Sequence, residues 1–324
     1  MEQNLIEQLW EHTKNIDYHH HHWLFPSEIY NKEFEKSLFE TPLSMPATLF
    51  FPTGAHSSLF MSFHNEDANY NKHYHDFFEL LYVCKGNPIG VINDQELHLE
   101  EGQLCIMNPN AVHYFKKYTQ ENDLILNIVL PKELFQKSIF RTLFHDPVLN
   151  VFFIRYQMEH EKHPSFLYLQ QLDKNIDYLV EILVTEYLEK KQYSQVNIEA
   201  LLTLIFSFLL RNYKQTSPKG NSVLSDIMDY IYLNYQTVTM NYVANQFNYH
   251  PKYLSTLIHK HTGQTFRELM VNIKLQNAVN YLIYTDYTIE QIVDLIGYKD
   301  KSSFYNQFKK IYGMSPAQYR TQYS

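Results

Sequence analysis

Glycine is scarce in this chain, with eight in 324 residues, about a third of the usual ~7%. No GxGxxG and no GxxxxGK[ST] occurs, which excludes the glycine-rich phosphate cradles of dinucleotide enzymes and P-loop NTPases. Cysteine is scarcer still. Cys84 and Cys105 form no CxxC and no Cys/His zinc spacing, so a disulfide scaffold is excluded and a reducing compartment fits. Long apolar runs are also missing: Ala200 to Leu210 is eleven residues interrupted by Thr203 and Ser207, short of the ~20 that span a bilayer. The opening MEQNLIEQLWEH carries acids where a secretory leader would carry bases and then an apolar stretch. These features predict a soluble cytoplasmic protein with no membrane partner, in which His19 to His22 are ordinary solvated residues. Positive charge is the last shortage. Thirty-five acids against 27 bases give a net charge of −8 and a pI near 6.1, which over the whole chain argues against a nucleic-acid partner.

What is present is apolar content, 45%, enough for one large or two medium domains. Its pattern changes along the chain. From Ala47 to Leu130 short β-branched and aromatic runs (ATLFF, SSLFMSF, FFELLYVC, IGVIN, LHL, QLCIM, VHYF, LILNIVL) alternate with turn residues, predicting an antiparallel sandwich or barrel. The period then becomes helical. Leu172, Ile176, Leu179, Val180, Leu183 and Tyr187 make one stripe; Ile198, Leu201, Leu202, Ile205, Phe208 and Leu209 make another. Leu204 and Leu210 widen the second stripe, which leaves apolar surface for a homodimer contact. The polar stretch Lys214 to Asn221, with Pro218 and Gly220, reads as a linker. Seven short helices follow, at Val223 to Tyr235, Asn241 to Phe247, His250 to His261, Thr265 to Tyr284, Ile289 to Ile296, Lys301 to Tyr312 and Pro316 to Arg320. The expected organisation is a β-barrel domain with an N-terminal extension (1–170), a helical dimerisation segment (171–213), a linker (214–222) and an all-α domain (223–324).

The all-α domain is written twice. Val243-Ala-Asn-Gln-Phe-Asn248-Tyr249 aligns with Ile292-Val-Asp-Leu-Ile-Gly297-Tyr298 at an offset of 49, and Leu254, Ile258 and Gly263 align with Phe304, Phe308 and Gly313 at an offset of 50. In each copy a short helix ends at Asn or Gly, suited to left-handed backbone. A second helix follows with apolar residues four apart and closes on glycine. Two such helices about a tight turn are a helix-turn-helix. With the apolar face inward, the outward residues are Lys252, Ser255, Thr256, His259 and Lys260 in the first copy and Lys301, Ser302, Ser303, Asn306, Gln307 and Lys310 in the second. Lysine and serine suit phosphate oxygens, and Asn and Gln suit adenine edges in the major groove. Between the copies, Phe266 to Tyr284 makes a helix of roughly 28 Å at 1.5 Å per residue, close to the ~34 Å turn of B-DNA. Charge now divides usefully. Residues 222–324 hold nine basic and seven acidic side chains, for +2, and the remainder carries −10. Asp226, Asp229, Glu290 and Asp294 are expected on helices away from the contact faces.

The stretch Ile289-Glu-Gln-Ile-Val-Asp-Leu-Ile-Gly-Tyr-Lys-Asp-Lys-Ser-Ser-Phe-Tyr-Asn-Gln-Phe-Lys-Lys-Ile-Tyr-Gly-Met-Ser-Pro-Ala-Gln-Tyr-Arg320 resembles the second helix-turn-helix of the AraC/XylS family of bacterial transcription regulators. The first copy resembles its counterpart but departs at Thr256, Ile258 and His259, where the family often has Arg, Phe and Lys. The resemblance covers residues 223–320 firmly and the rest by architecture. It implies a cupin-like sensor with a small-molecule effector, double-stranded DNA and RNA polymerase as partners, and activation of transcription.

One constellation in the β region carries chemistry of its own. His73-Tyr-His75-x3-Glu79-x6-Gly86, followed by His113 eleven residues after Gly102, resembles the two cupin motifs, in which three His and one Glu face a divalent metal. The second motif departs from its pattern at Pro109 and Asn110. The constellation admits two readings. Regulators of this kind keep HxHxxxE without a catalytic metal, so His73, His75, Glu79 and His113 are expected to be structural or ligand-lining, with no metal, no cofactor and no enzyme activity. The alternative is a metal-dependent cupin enzyme using those four residues.

Overall fold

The structure is a computed structural model that describes Gln8 and residues 43–45, 59–64, 72–109, 111–117, 122–143, 146–157, 166–169, 174–212 and 223–323. The expected strand at Ala47 to Phe51, His19 to His22, the opening residues other than Gln8, and the linker 214–222 lie outside the described residues. The chain divides into two compact units, Met1–Phe152 with His163–Gln215, and Phe153–Lys162 with Thr216–Ser324.

Among the described residues of the first unit, ten strands form two five-stranded sheets. One has the order β1 (Leu43–Met45), β3 (His73–His75), β8 (His113–Lys117), β5 (Ile89–Ile92), β6 (Gln95–His98). The other has the order β10 (Phe166–Leu169), β7 (Leu104–Met107), β4 (Phe78–Lys85), β9 (Leu124–Leu130), β2 (Phe60–Phe63). Pairing is antiparallel except between β1 and β3, which run parallel. Period-two alternation fixes which side chains face the interior. On β4, Leu81 and Val83 join Ile92, Leu97, Cys105, Phe115 and Ile125 in one core between the sheets. Glu79 shares their face.

The opposite face of β4 meets helices. Phe78 stacks on Phe135 with ring centroids 3.8 Å apart, and the Tyr82 hydroxyl donates to Asp177 Oδ1 at 2.7 Å. Phe135 lies in α1, a helical segment over residues 132–143 whose middle, Phe135–Phe140, winds as a π-helix. After α2 (Pro147–Gln157) and β10 come α3 (Lys174–Glu189) and α4 (Ser194–Asn212), which pack against each other. Their buried residues include Ile176, Val180, Leu183, Leu202, Ile205, Phe206 and Leu209. The helix at Ser194–Arg211 is long and apolar enough to cross a membrane by length and composition, which the interrupted eleven-residue run did not suggest. Its inner side is core here, with Phe206 edge-on to Phe135 at 5.4 Å.

The second unit contains all seven expected helices: α5 (Val223–Leu233), α6 (Met240–Gln246), α7 (Pro251–Thr262), α8 (Phe266–Tyr284), α9 (Ile289–Leu295), α10 (Lys301–Tyr312) and α11 (Pro316–Tyr323). Their starts are set locally. Thr265 with Glu268 and Thr288 with Gln291 form capping boxes, Ser315 and Gln318 exchange the same pair of bonds, and Thr239 and Asp300 cap α6 and α10. Each satisfies backbone N–H groups left open at a helix start. The long helix α8 is buried on most sides, from Leu269 to Leu282.

Candidate nucleic-acid interface and buried histidine cluster

Both helix-turn-helix copies form as the repeat predicts. In the first, Val243 and Ala244 of α6 face Leu254 and Ile258 of α7, and all four are fully buried. In the second, Ile292, Val293 and Ile296 face Phe304 and Phe308. The turns pass through left-handed backbone at Asn248 (φ 56°) and Gly297 (φ 72°). The second helices end on Gly263 and Gly313, also left-handed.

On α7, Lys252, Thr256, His259 and Lys260 are exposed and Ser255 is half-buried. The Thr256 hydroxyl donates to the Lys252 carbonyl at 3.1 Å. Tyr253 is exposed beside them. On α10, Lys301, Ser302, Asn306 and Lys310 are exposed. Gln307 and Ser303 are half-buried: Gln307 Oε1 accepts from the Tyr298 hydroxyl at 2.7 Å, and its Nε2 donates to Ser303 Oγ at 3.0 Å. At about 100° per residue, Ser302, Asn306, Lys309 and Lys310 surround the direction opposite Phe304 and Phe308. Lys309, absent from the residues chosen by pattern, is exposed. Glu290 corrects another expectation. It is not remote from the contact face, because its Oε1 lies 3.8 Å from Lys301 Nζ, both side chains being largely exposed. Such a pair is weak.

In the first unit the four cupin-type residues converge. His73, His75, Glu79 and His113 are all buried, none more than 6% exposed. Strand register produces this: His73 pairs with His113 across β3 and β8, and Glu79 is the second residue of β4. Glu79 Oε2 lies 3.0 Å from His113 Nε2 and 3.4 Å from His75 Nδ1. His113 Nδ1 lies 3.0 Å from the Ala111 carbonyl oxygen, and one ligand atom from each of the three histidines falls within 4.8 Å of the others. Burial pushes His75 down to about 3, against the opposing pull of Glu79. Glu79 is held below the usual carboxylate range, the charges of His75 and His113 outweighing burial. The cluster therefore pairs an ionised carboxylate with imidazoles in a water-poor interior.

Comparison with known proteins matches both halves. The family described as AraC-like ligand binding domain covers residues 57–205, and that described as helix-turn-helix domain covers residues 243–322. The chain belongs to the AraC/XylS family of transcription regulators. Among its relatives, the HTH-type transcriptional activator RhaS of Pectobacterium carotovorum subsp. carotovorum is 24% identical over 255 residues, 78% of this chain and 88% of RhaS. The raffinose operon transcriptional regulatory protein RafR of Pediococcus pentosaceus is 26% identical over 160 residues, 47% of this chain and 58% of RafR. Of solved structures, ToxT from Vibrio cholerae with a bound unsaturated fatty acid aligns with 82% of this chain and 96% of its own at 16% identity and a TM-score of 0.36. The C-terminal domain of AraT, a response regulator from Geobacillus stearothermophilus, aligns with 32% and 86% at 31% identity and a TM-score of 0.30.

As an AraC/XylS regulator the chain is a DNA-binding protein with an N-terminal ligand-binding domain, which favours regulation over the cupin-enzyme alternative. The motif residue Arg320 supports the family's DNA-binding fold from within: its Nη2 donates to the Tyr287 carbonyl at 2.6 Å and its Nε to the Leu282 carbonyl at 3.1 Å. It ties α11 to the end of α8.

Proposed function

We propose that this AraC/XylS regulator is a ligand-responsive activator that binds paired half-sites of double-stranded DNA as a homodimer and engages RNA polymerase in the cytoplasm, without catalysis. The observation that carries this reading is the pair of helix-turn-helix units 49 to 50 residues apart, each with exposed lysines on its second helix. Lys252, Ser255, Thr256, His259 and Lys260 of α7, and Lys301, Ser302, Ser303, Asn306 and Lys310 of α10, are the contact set, with Lys309 added. Gln307 acts through Ser303 and Tyr298. Base reading falls to Asn306, whose amide can pair with an adenine edge, and phosphate anchoring to the lysines.

In this reading residues 1–170 form the sensor, 171–213 the dimerisation segment, 214–222 the linker and 223–324 the DNA-binding domain. The names of RhaS and RafR favour activation and a small effector. Val196, Ala200 and Leu204 of α4 are exposed at four-residue spacing, an apolar stripe suited to a second copy. An effector would act by binding one arrangement of the dimer better than another. Footprinting of the full chain on promoter fragments recovered by selection from its own genome tests the proposal. Paired protected patches about one helical turn apart are expected. A single patch, or none, would overturn the paired-site reading.

A further inference from the structure

The second helix of the second helix-turn-helix exposes an aromatic ring that the contact set leaves unused. On α10 the Gln307 amide bridges the Tyr298 hydroxyl and Ser303, which covers that side of the helix. Lys301, Ser302, Tyr305, Asn306, Lys309 and Lys310 remain exposed, and at about 100° per residue they occupy roughly half of the helix circumference. Tyr305 falls inside this arc. It stands four residues after Lys301 and four before Lys309, so one stripe of the helix reads lysine, tyrosine, lysine. Tyr305 is 37% exposed, and its ring meets the buried Phe304 ring edge-on at 5.6 Å, a contact that restricts where it can point. A ring held this way offers contact area at little cost in conformational entropy.

An apolar ring between two ammonium groups suits a partner that is anionic around an apolar point. The major groove has that form: phosphates line its rim, and thymine places a C5-methyl group on its floor. Tyr305 is the fifth residue of α10, within the N-terminal half that such a helix turns toward base edges. We propose that Tyr305 is a specificity-determining residue that reads thymine through its C5-methyl group in the half-site bound by α10. This rests on the reading of α10 as a major-groove helix. The equivalent position of α7, at the offset of 50, is Ser255, which is half-buried and has no ring. Thymine reading by this position therefore belongs to one half-site and gives the paired site a direction.

The test takes a duplex selected from a random pool by the full chain and replaces each thymine in turn by deoxyuridine, which removes the methyl group and keeps every hydrogen-bonding group. At one thymine position wild-type affinity should fall about fourfold, the worth of one buried methyl group. Tyr305→Ala should bind the thymine and deoxyuridine duplexes alike at that position. Tyr305→Phe should keep the fourfold discrimination. Wild-type protein indifferent to every replacement would overturn methyl reading while leaving DNA binding intact, and so would a Tyr305→Ala variant that still discriminates. Loss of the discrimination in Tyr305→Phe would overturn it too, assigning the contact to the hydroxyl. A wild-type chain with no salt-dependent duplex binding would overturn the underlying reading of α10 as well. The wild-type comparison decides the matter even where a variant fails to fold.

Discussion

Lys274 Nζ, on the long helix α8, lies 2.7 Å from the carbonyl oxygen of Gly297 in the turn of the second helix-turn-helix. The same ammonium donates to the Gln236 carbonyl at 3.2 Å and sits 5.5 Å from the centre of the Tyr298 ring. Gln236 in turn donates from Nε2 to the Leu295 carbonyl at 2.9 Å. A single half-buried cation thus joins the chain after α5, the central helix and the turn that orients α10. Burial lowers its pKa from the ordinary lysine value.

Lys274→Met removes both bonds while keeping the alkyl packing. We expect a loss of about 1.5–3 kcal/mol, the range for hydrogen bonds to a charged group. Urea unfolding of the full chain measures it. An unchanged midpoint for the α-helical unit would show that the clamp contributes nothing.

The left-handed glycines separate backbone strain from crowding. At Gly297 an added Cβ would collide with the Gln236 carbonyl oxygen, whereas at Gly263 nothing lies within 4 Å. Gly263→Ala should cost about 1 kcal/mol, the penalty for left-handed backbone alone. Gly297→Ala should cost clearly more, because the turn must open. Equal losses in thermal melts would contradict the close approach.

Asn280 is 2% exposed on α8, and neither its amide nitrogen nor its amide oxygen has a hydrogen-bond partner among the described residues. Burying an unpaired amide costs about 1–3 kcal/mol. Asn280→Leu, close in volume, should therefore raise stability by about 1 kcal/mol. A lower midpoint in denaturant would show that the amide is satisfied in solution.

Gln307 tests the division between scaffold and reader on α10. Because it accepts from Tyr298 and donates to Ser303, Gln307→Ala should lower stability by about 1 kcal/mol and leave sequence preference intact. A change in preferred bases with unchanged stability, read by selection from a random duplex pool, would return Gln307 to the contact face.

The C-terminal half was legible because its determinants are local. Capping boxes such as Thr288-x-x-Gln291 and turn residues such as Asn248 and Gly297 act within a few positions of where they stand. Helix wheels could not show that the Tyr298 hydroxyl covers Gln307, or that Lys309 stays exposed. In the N-terminal half the HxHxxxE spacing was visible, but the closeness of His113 to Glu79 depends on the pairing of β3 with β8, far apart in sequence. Four elements gave little signal. The π-winding of Phe135–Phe140 breaks the 3.6-residue period of α1. The run PVLNVFFIRYQ of α2 is apolar around most of its circumference, so no stripe stands out. Strands β1 and β10, of three and four residues, are too short for alternation to register.

The central claim is that α10 reads bases through Asn306 and grips phosphates through Lys310. Binding of the full chain to its selected duplex and to a random duplex, measured across a salt series for wild type, Asn306→Ala and Lys310→Ala, tests it most directly. Asn306→Ala should lose about 1–3 kcal/mol on the selected duplex only. Lys310→Ala should weaken both duplexes alike and flatten the salt slope by about one unit. Equal losses on both duplexes for both variants, or wild-type binding without a steep salt dependence, would contradict the account.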